Sequence, residues 1–207
     1  NSTSTGSATA SLTALKAPSI SKLFTPNPTL TGDVSTLTFS ITNPNPNDSL
    51  ASVAFTDTFP TTPGNMVVAP TPNATTSNCG SPTFAPVAGS GSISFSNGTI
   101  TAGGTCTISV NITAPTAGVY TNTSGSVSTI ISGTTVTGNT ASNTLTVNAP
   151  NPAISLSKQI STSNTGPWSP FITVAPGTDV YYRFVVEHTG DVALSPISVI
   201  DPTVNTA

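Results

Sequence analysis

The sequence predicts an all-β protein of two β-sandwich domains in tandem, the second of them incomplete. Three observations lead there. Helical periodicity is almost absent, because 19 Pro and 16 Gly interrupt the 207 residues every few positions. The segments between these breakers alternate apolar and polar residues with a period of 2, which puts one face of a strand against a core. Finally, two stretches of the chain repeat a single plan.

The first strand falls at 19–24 in "SISKLF", and the second at 34–42 in "VSTLTFSIT". Strands at 52–59 ("SVAFTDTF") and 91–95 ("GSISF") follow on either side of a Pro-, Asn- and Gly-rich stretch. The run 105–113, "TCTISVNIT", alternates most clearly: Cys106, Ile108, Val110 and Ile112 face inward, so Asn111 and Thr113 face outward. Shorter runs at 118–123, 126–132, 134–138 and 144–147 complete the domain. Beyond it, strands are expected at 153–160, 179–187 and 195–200. In "DVYYRFVVEH" one face carries Val180, Tyr182, Phe184 and Val186, and the other carries Tyr181, Arg183, Val185 and Glu187, a strand with one wet side.

The repeat becomes visible when "SISKLF" and "GDVSTLTFSITNPNPNDSLASVAFTDTFP" are laid over "AISLSK" and "GTDVYYRFVVEHTGDVALSPISVIDPTV". Gly32 and Asp57 match Gly177 and Asp201 at nearly the same spacing, and Leu50 and Val53 match Leu194 and Ile197. The first copy continues through two cysteines to "NTASNTLTVNAP". The opening "NSTSTGSATASLTALKAP" resembles that same closing phrase. The expected organisation is therefore residues 1–17 as the closing strand of a neighbouring domain, 18–149 as a complete sandwich, and 150–207 as an incomplete one.

Composition limits the function classes. Charged residues make up 5% of the chain, against about 25% in an average domain. None occurs between Thr58 and Ser157. With four Lys and Arg in total, a phosphate backbone is a poor partner, because nucleic-acid affinity rests on cations. No stretch reaches the roughly 18–20 apolar residues of a membrane span, and no basic, apolar leader opens the chain. Cys79 and Cys106 have no further Cys and no nearby His to form a zinc site, so a disulfide is favoured over two free thiols. By chain entropy it would stabilise the fold by roughly 3.6 kcal/mol and place the protein outside a reducing cytosol. Sequons at Asn1, Asn47, Asn73, Asn97, Asn111 and Asn122 are candidate glycosylation sites pointing to the same location, extracellular or at the cell surface.

No catalytic residues are expected. The sole histidine, His188, lies in the turn sequence "EHTGD" beside Asp191. Asp33, Asp57, Asp179 and Asp201 are the candidate calcium ligands. Without a dense D-x-D-x-D loop they read as turn-forming and strand-ending residues, and no metal or cofactor is expected. Trp168 and Phe171, in "TGPWSPF", occupy an insertion absent from the first copy and read as a local core plug or interface anchor in preference to a sugar-stacking platform.

The segments "FTPNPTLTGDVSTLTFSITNPN", "VAFTDTFP", "ITAGGTCTISVNITAP" and "VYYRFVVEHTGDVALSPISVIDPTV" resemble the conserved-repeat, immunoglobulin-like domains found in tandem in large bacterial surface and adhesin-like proteins. The resemblance covers most of the chain and implies spacers and stalks with no family catalytic residues. The charge-free first domain and the truncated second one depart from that pattern. An incomplete sandwich leaves strand edges open. The expected remedy is a donor strand from a neighbouring copy, with Ala8, Ala10, Leu12 and Ala14 on its inserted face, or a following repeat in a tandem array. The partners are then copies of the chain itself, head to tail. The function expected is a structural subunit of an extracellular filament or stalk, with an adhesive module for a host protein or carbohydrate as the alternative.

Overall fold

A computed structural model describes residues 14–202. The chain divides into two compact units, Asn1–Ala149 and Pro150–Ala207, and each is described by itself.

The first unit contains β1 (Ser19–Thr25), β2 (Thr29–Leu30), β3 (Val34–Thr42), β4 (Leu50–Thr58), β5 (Val67–Val68), β6 (Thr75–Ser77), β7 (Ser92–Ile100), β8 (Thr105–Thr113), β9 (Gly118–Thr123), β10 (Ser128–Ile131), β11 (Thr134–Thr137) and β12 (Ser142–Asn148). One sheet runs β1-β3-β8-β5, with β6 also on β8. A second runs β11-β10-β4-β7, and a third β2-β12-β9. The last two are joined where the Gly125 amide donates to the Thr56 carbonyl at 2.8 Å. The all-β sandwich expectation holds: alternate residues of the facing strands fill one core. Leu37, Phe39 and Ile41 come from β3, Ile108, Val110 and Ile112 from β8, Val53 and Phe55 from β4, Ile93, Phe95 and Ile100 from β7, and Leu145 and Val147 from β12. The Phe39, Phe55 and Phe95 rings pack in series, with centroids 4.7 and 5.7 Å apart, the first pair tilted and the second stacked.

Two local features escaped the sequence pattern. β7 runs on past residue 95, where the sequence pattern ends the strand, through Asn97-Gly98. This pair sits in a bulged stretch: the β4–β7 register shifts on either side of Val53, and Asn97 has φ 58°. Glycine is required next to it because a Cβ at Gly98 would come within 2.6 Å of the Phe95 ring. The second feature is the way the first and last strands meet. β2 and β12 pair in parallel, Thr29 opposite Val147 and Leu30 opposite Asn148. Asparagine side chains extend the seam along β1: Asn139 accepts from and donates to the Ile20 backbone, Asn143 donates to the Lys22 carbonyl, and Asn27 bridges Thr144 and Thr146.

A disulfide joins Cys79, after β6, to Cys106 on β8, and both residues are buried. Replacing both by Ala is expected to cost about 2–4 kcal/mol, read as a lower urea midpoint. A loss below about 1 kcal/mol would mean that the loop holds its place without the bond.

In the second unit β13 (Ile154–Ser161) pairs antiparallel with β14 (Tyr181–His188), and these two strands form its sheet among the described residues. The expected strand at 195–200 is corrected. Those residues form no strand and pair with none among the described residues, and Pro196 cannot donate to a ladder.

Candidate functional site

Most polar groups of the first unit lie on its surface, but three strands each turn one toward the same point of the core. On β1, Lys22 falls in phase with the buried Ile20 and Phe24. On β4, Asp57 falls in phase with Val53 and Phe55, and on β9 Asn122 is in phase with Tyr120. Period-2 alternation thus delivers an amine, a carboxyl and a carboxamide to one place. Lys22 Nζ donates to Asp57 Oδ2 at 2.7 Å, and both side chains are fully shielded from solvent. Asn122 Nδ2 donates to Asp57 Oδ1 at 3.1 Å and to the Thr58 carbonyl at 3.2 Å. The lysine amine also lies 5.1 Å from the centre of the Phe39 ring. Asn122 Oδ1 is buried with no partner.

Burial pushes the Lys22 amine below its ordinary range, against the pull of the neighbouring Asp57 charge. It pushes the Asp57 carboxyl up, opposed by Lys22 and by the Asn122 hydrogen bond. Each shift brings its group closer to the neutral form than it would be in water.

The second unit repeats the first two members. Lys158 on β13 meets the Asp201 carboxylate, and its amine stands 4.2 Å from the Tyr182 ring centre and 5.7 Å from that of Phe184. The residues on this face are open where their counterparts in the first unit are buried: Ile154, Leu156, Tyr182, Phe184 and Val186 are 36–58% exposed. On the other face Arg183 stacks over Trp168 at 5.0 Å and donates to Gln159. Trp168 is half-buried by this contact and Phe171 is exposed.

The remaining sequence candidates are dispersed. Asn47, Asn73 and Asn97 are exposed, whereas Asn111 is half-buried and accepts from Thr36. Asn122 is enclosed, so its amide nitrogen has no room for a sugar in the folded domain. Asn1, Ala8, Ala10 and Leu12 lie outside the described residues, and Ala14 is exposed and in no strand. His188 Nε2 bonds to the Val192 carbonyl, and Asp191 accepts from the Asn151 amide, so both serve their loops. Asp33 and Asp179 are exposed, while Asp57 and Asp201 face lysines. Among the described residues no group of three or more His, Cys, Asp or Glu is placed to hold a metal, and no helix is long and apolar enough to cross a membrane. Lys22 was missed from sequence, although its position in phase with Ile20 and Phe24 was the available signal.

Comparison with solved structures places the fold. A cohesin module from a Clostridium perfringens family 33 glycoside hydrolase aligns over 64% of this chain and 98% of its own length, with 11% identity and a TM-score of 0.50. The major pilin subunit BcpA of Bacillus cereus aligns over 83% of this chain (12% identity, TM-score 0.46), and the major pilin SpaD of Corynebacterium diphtheriae over 82% (11% identity, TM-score 0.46). The chain spans 59% of the first pilin and 48% of the second. At 11% identity the likeness to the cohesin module is one of fold. No curated protein matches the sequence. Residues 18–147, which hold all three members of the buried cluster, match a family model described as a domain of unknown function, and on that match the chain belongs to the DUF7933 family.

Proposed function

We propose that this chain is a non-catalytic structural unit of an extracellular filament or surface stalk, joined head to tail through its second unit. The observation that carries this reading is the uncovered face of the β13–β14 sheet. Its residues occupy the positions that Ile20, Lys22, Phe24, Leu37, Phe39 and Ile41 fill in the first unit, where opposing strands bury them. Apolar residues in that pattern are a core face, and a core face calls for strands to close it. A neighbouring copy supplies them by inserting residues 1–17 as a donor strand, with Ala8, Ala10, Leu12 and Ala14 inward. Such a contact is heterologous and propagates into a fibre. The stacked Trp168 and exposed Phe171 support a second reading, an adhesive surface for a protein or carbohydrate.

Electron microscopy of native material, run beside denaturing gel electrophoresis, tests the assembly. Filaments that dissociate to a single-chain band are the expected result. Dispersed single chains at high protein concentration would sink the filament reading.

A further inference from the structure

We propose that Lys22 and Asn122 become joined by an amide bond, formed by the folded first unit itself with Asp57 carrying the protons. The inference rests on the buried cluster and not on the assembly proposal.

Three observations converge. The Asp57 carboxyl bridges the two partners, one oxygen on the Lys22 amine and the other on the Asn122 carboxamide, so nucleophile, acyl group and proton carrier meet in one water-excluded place. Second, Asn122 Oδ1 is the buried side-chain oxygen left without a hydrogen bond among the described residues. Buried polar atoms are normally paired, and a salt bridge between Lys22 and Asp57 gives no reason to enclose this amide beside it. The oxygen is where charge develops when an amine attacks the carboxamide carbon. Third, a chain with only four Lys and Arg and seven Asp and Glu commits one of each to this core. A buried ion pair is weak evidence for stability alone. The second unit holds the same Lys–Asp pair, Lys158 with Asp201, against aromatic rings. The apolar surroundings lower the amine's proton affinity and raise that of the acid, which makes the proton transfer to the reactive neutral forms easier than in water.

The chemistry balances within these residues. Asp57 takes a proton from the Lys22 ammonium and leaves a neutral amine. The Nζ lone pair attacks Cγ of Asn122, forming the Nζ–Cγ bond and moving the carbonyl electron pair onto Oδ1. Nζ then sheds a proton, which Asp57 relays to Nδ2. The Cγ–Nδ2 bond breaks as the carbonyl re-forms, and ammonia departs. An amine and a primary amide give a secondary amide and ammonia, with no oxidant or reductant. The reaction occurs once per chain and involves no turnover.

Trypsin digestion of the reduced, alkylated full chain, followed by mass spectrometry, tests the bond. Cleavage is available after Lys16, Lys22, Lys158 and Arg183. An unlinked chain releases residues 17–22 as a free peptide. The linked chain resists cutting at Lys22, keeps residues 17–158 as one peptide, and is lighter than its sequence by one ammonia, with fragmentation locating the bond at Lys22 and Asn122. Complete cleavage after Lys22 with the full sequence mass would overturn the proposal. Asp57→Asn keeps the side-chain shape and is expected to restore both the cleavage and the lost mass. A fully linked Asp57→Asn chain would overturn the role given to Asp57. The wild-type measurement stands even if the variant fails to fold.

Discussion

Asp57→Ala is expected to destabilise the first unit by at least about 3–5 kcal/mol, the usual loss when one member of a buried ion pair is removed and the other charge is stranded. Asp57 is fully enclosed between Lys22 and Asn122, and neither partner has another acid to turn to among the described residues. Denaturant unfolding of the variant measures the loss. In a linked chain the cost is larger, because the variant also loses a tie between residues 22 and 122. A covalent closure of about a hundred residues is worth ~4.7 kcal/mol by the chain-entropy relation for cross-links. A control separates the two terms. Lys22→Met with Asp57→Leu and Asn122→Leu removes the cluster without stranding a charge, and well-packed apolar replacements of buried ion pairs are often neutral. That triple variant should keep most of the ion-pair part and lose the closure part. An Asp57→Ala loss under about 1 kcal/mol would mean that water reaches the site.

Deleting residues 1–15 is expected to abolish head-to-tail assembly while leaving the first unit folded. The folded part is insulated from the cut. β1 starts at Ser19, and the chain is anchored just before it by Asn45, whose side chain accepts from the Lys16 amide and donates to the Lys16 carbonyl. Sedimentation or electron microscopy reads the assembly, and circular dichroism reads the fold. Filaments that persist unchanged would remove residues 1–17 as the joining strand. Loss of filaments together with loss of the β-sheet signal would show instead that the segment belongs to the first unit's own core.

Alternation made the sandwich legible. The phase of 105–113 is the phase in the structure, and Cys106 lies on the core face, where the pattern put it. What alternation hid was polar residues in an apolar phase. Lys22, Asp57 and Asn122 each keep step with core neighbours, but Asp57 read as a strand-ending aspartate and Asn122 as part of a sequon. No spacing rule connects residues this far apart, so only the fold could bring them together. Two strand expectations missed. The strand expected at 91–95 runs on to Ile100, because cross-strand packing of Phe95 and Val53 carries Asn97-Gly98 as part of a bulged strand. Val199 and Ile200 belong to a run with strand composition, but strands form by pairing, and 195–200 has no neighbour among the described residues.

The parallel seam between the start and end of the first unit bears on how it would carry load. β1 and β2 run in the same direction as β12, so the chain enters this unit at one end and leaves at the other. A pull on Pro18 and Ala149 would slide the two edges past each other, straining the β2–β12 ladder and the Asn27, Asn139 and Asn143 bridges together, whereas a hairpin held at its two ends opens one bond at a time. Rupture then requires many weak bonds to fail at once, and the unit resists tension far better along the β2–β12 strands than across them.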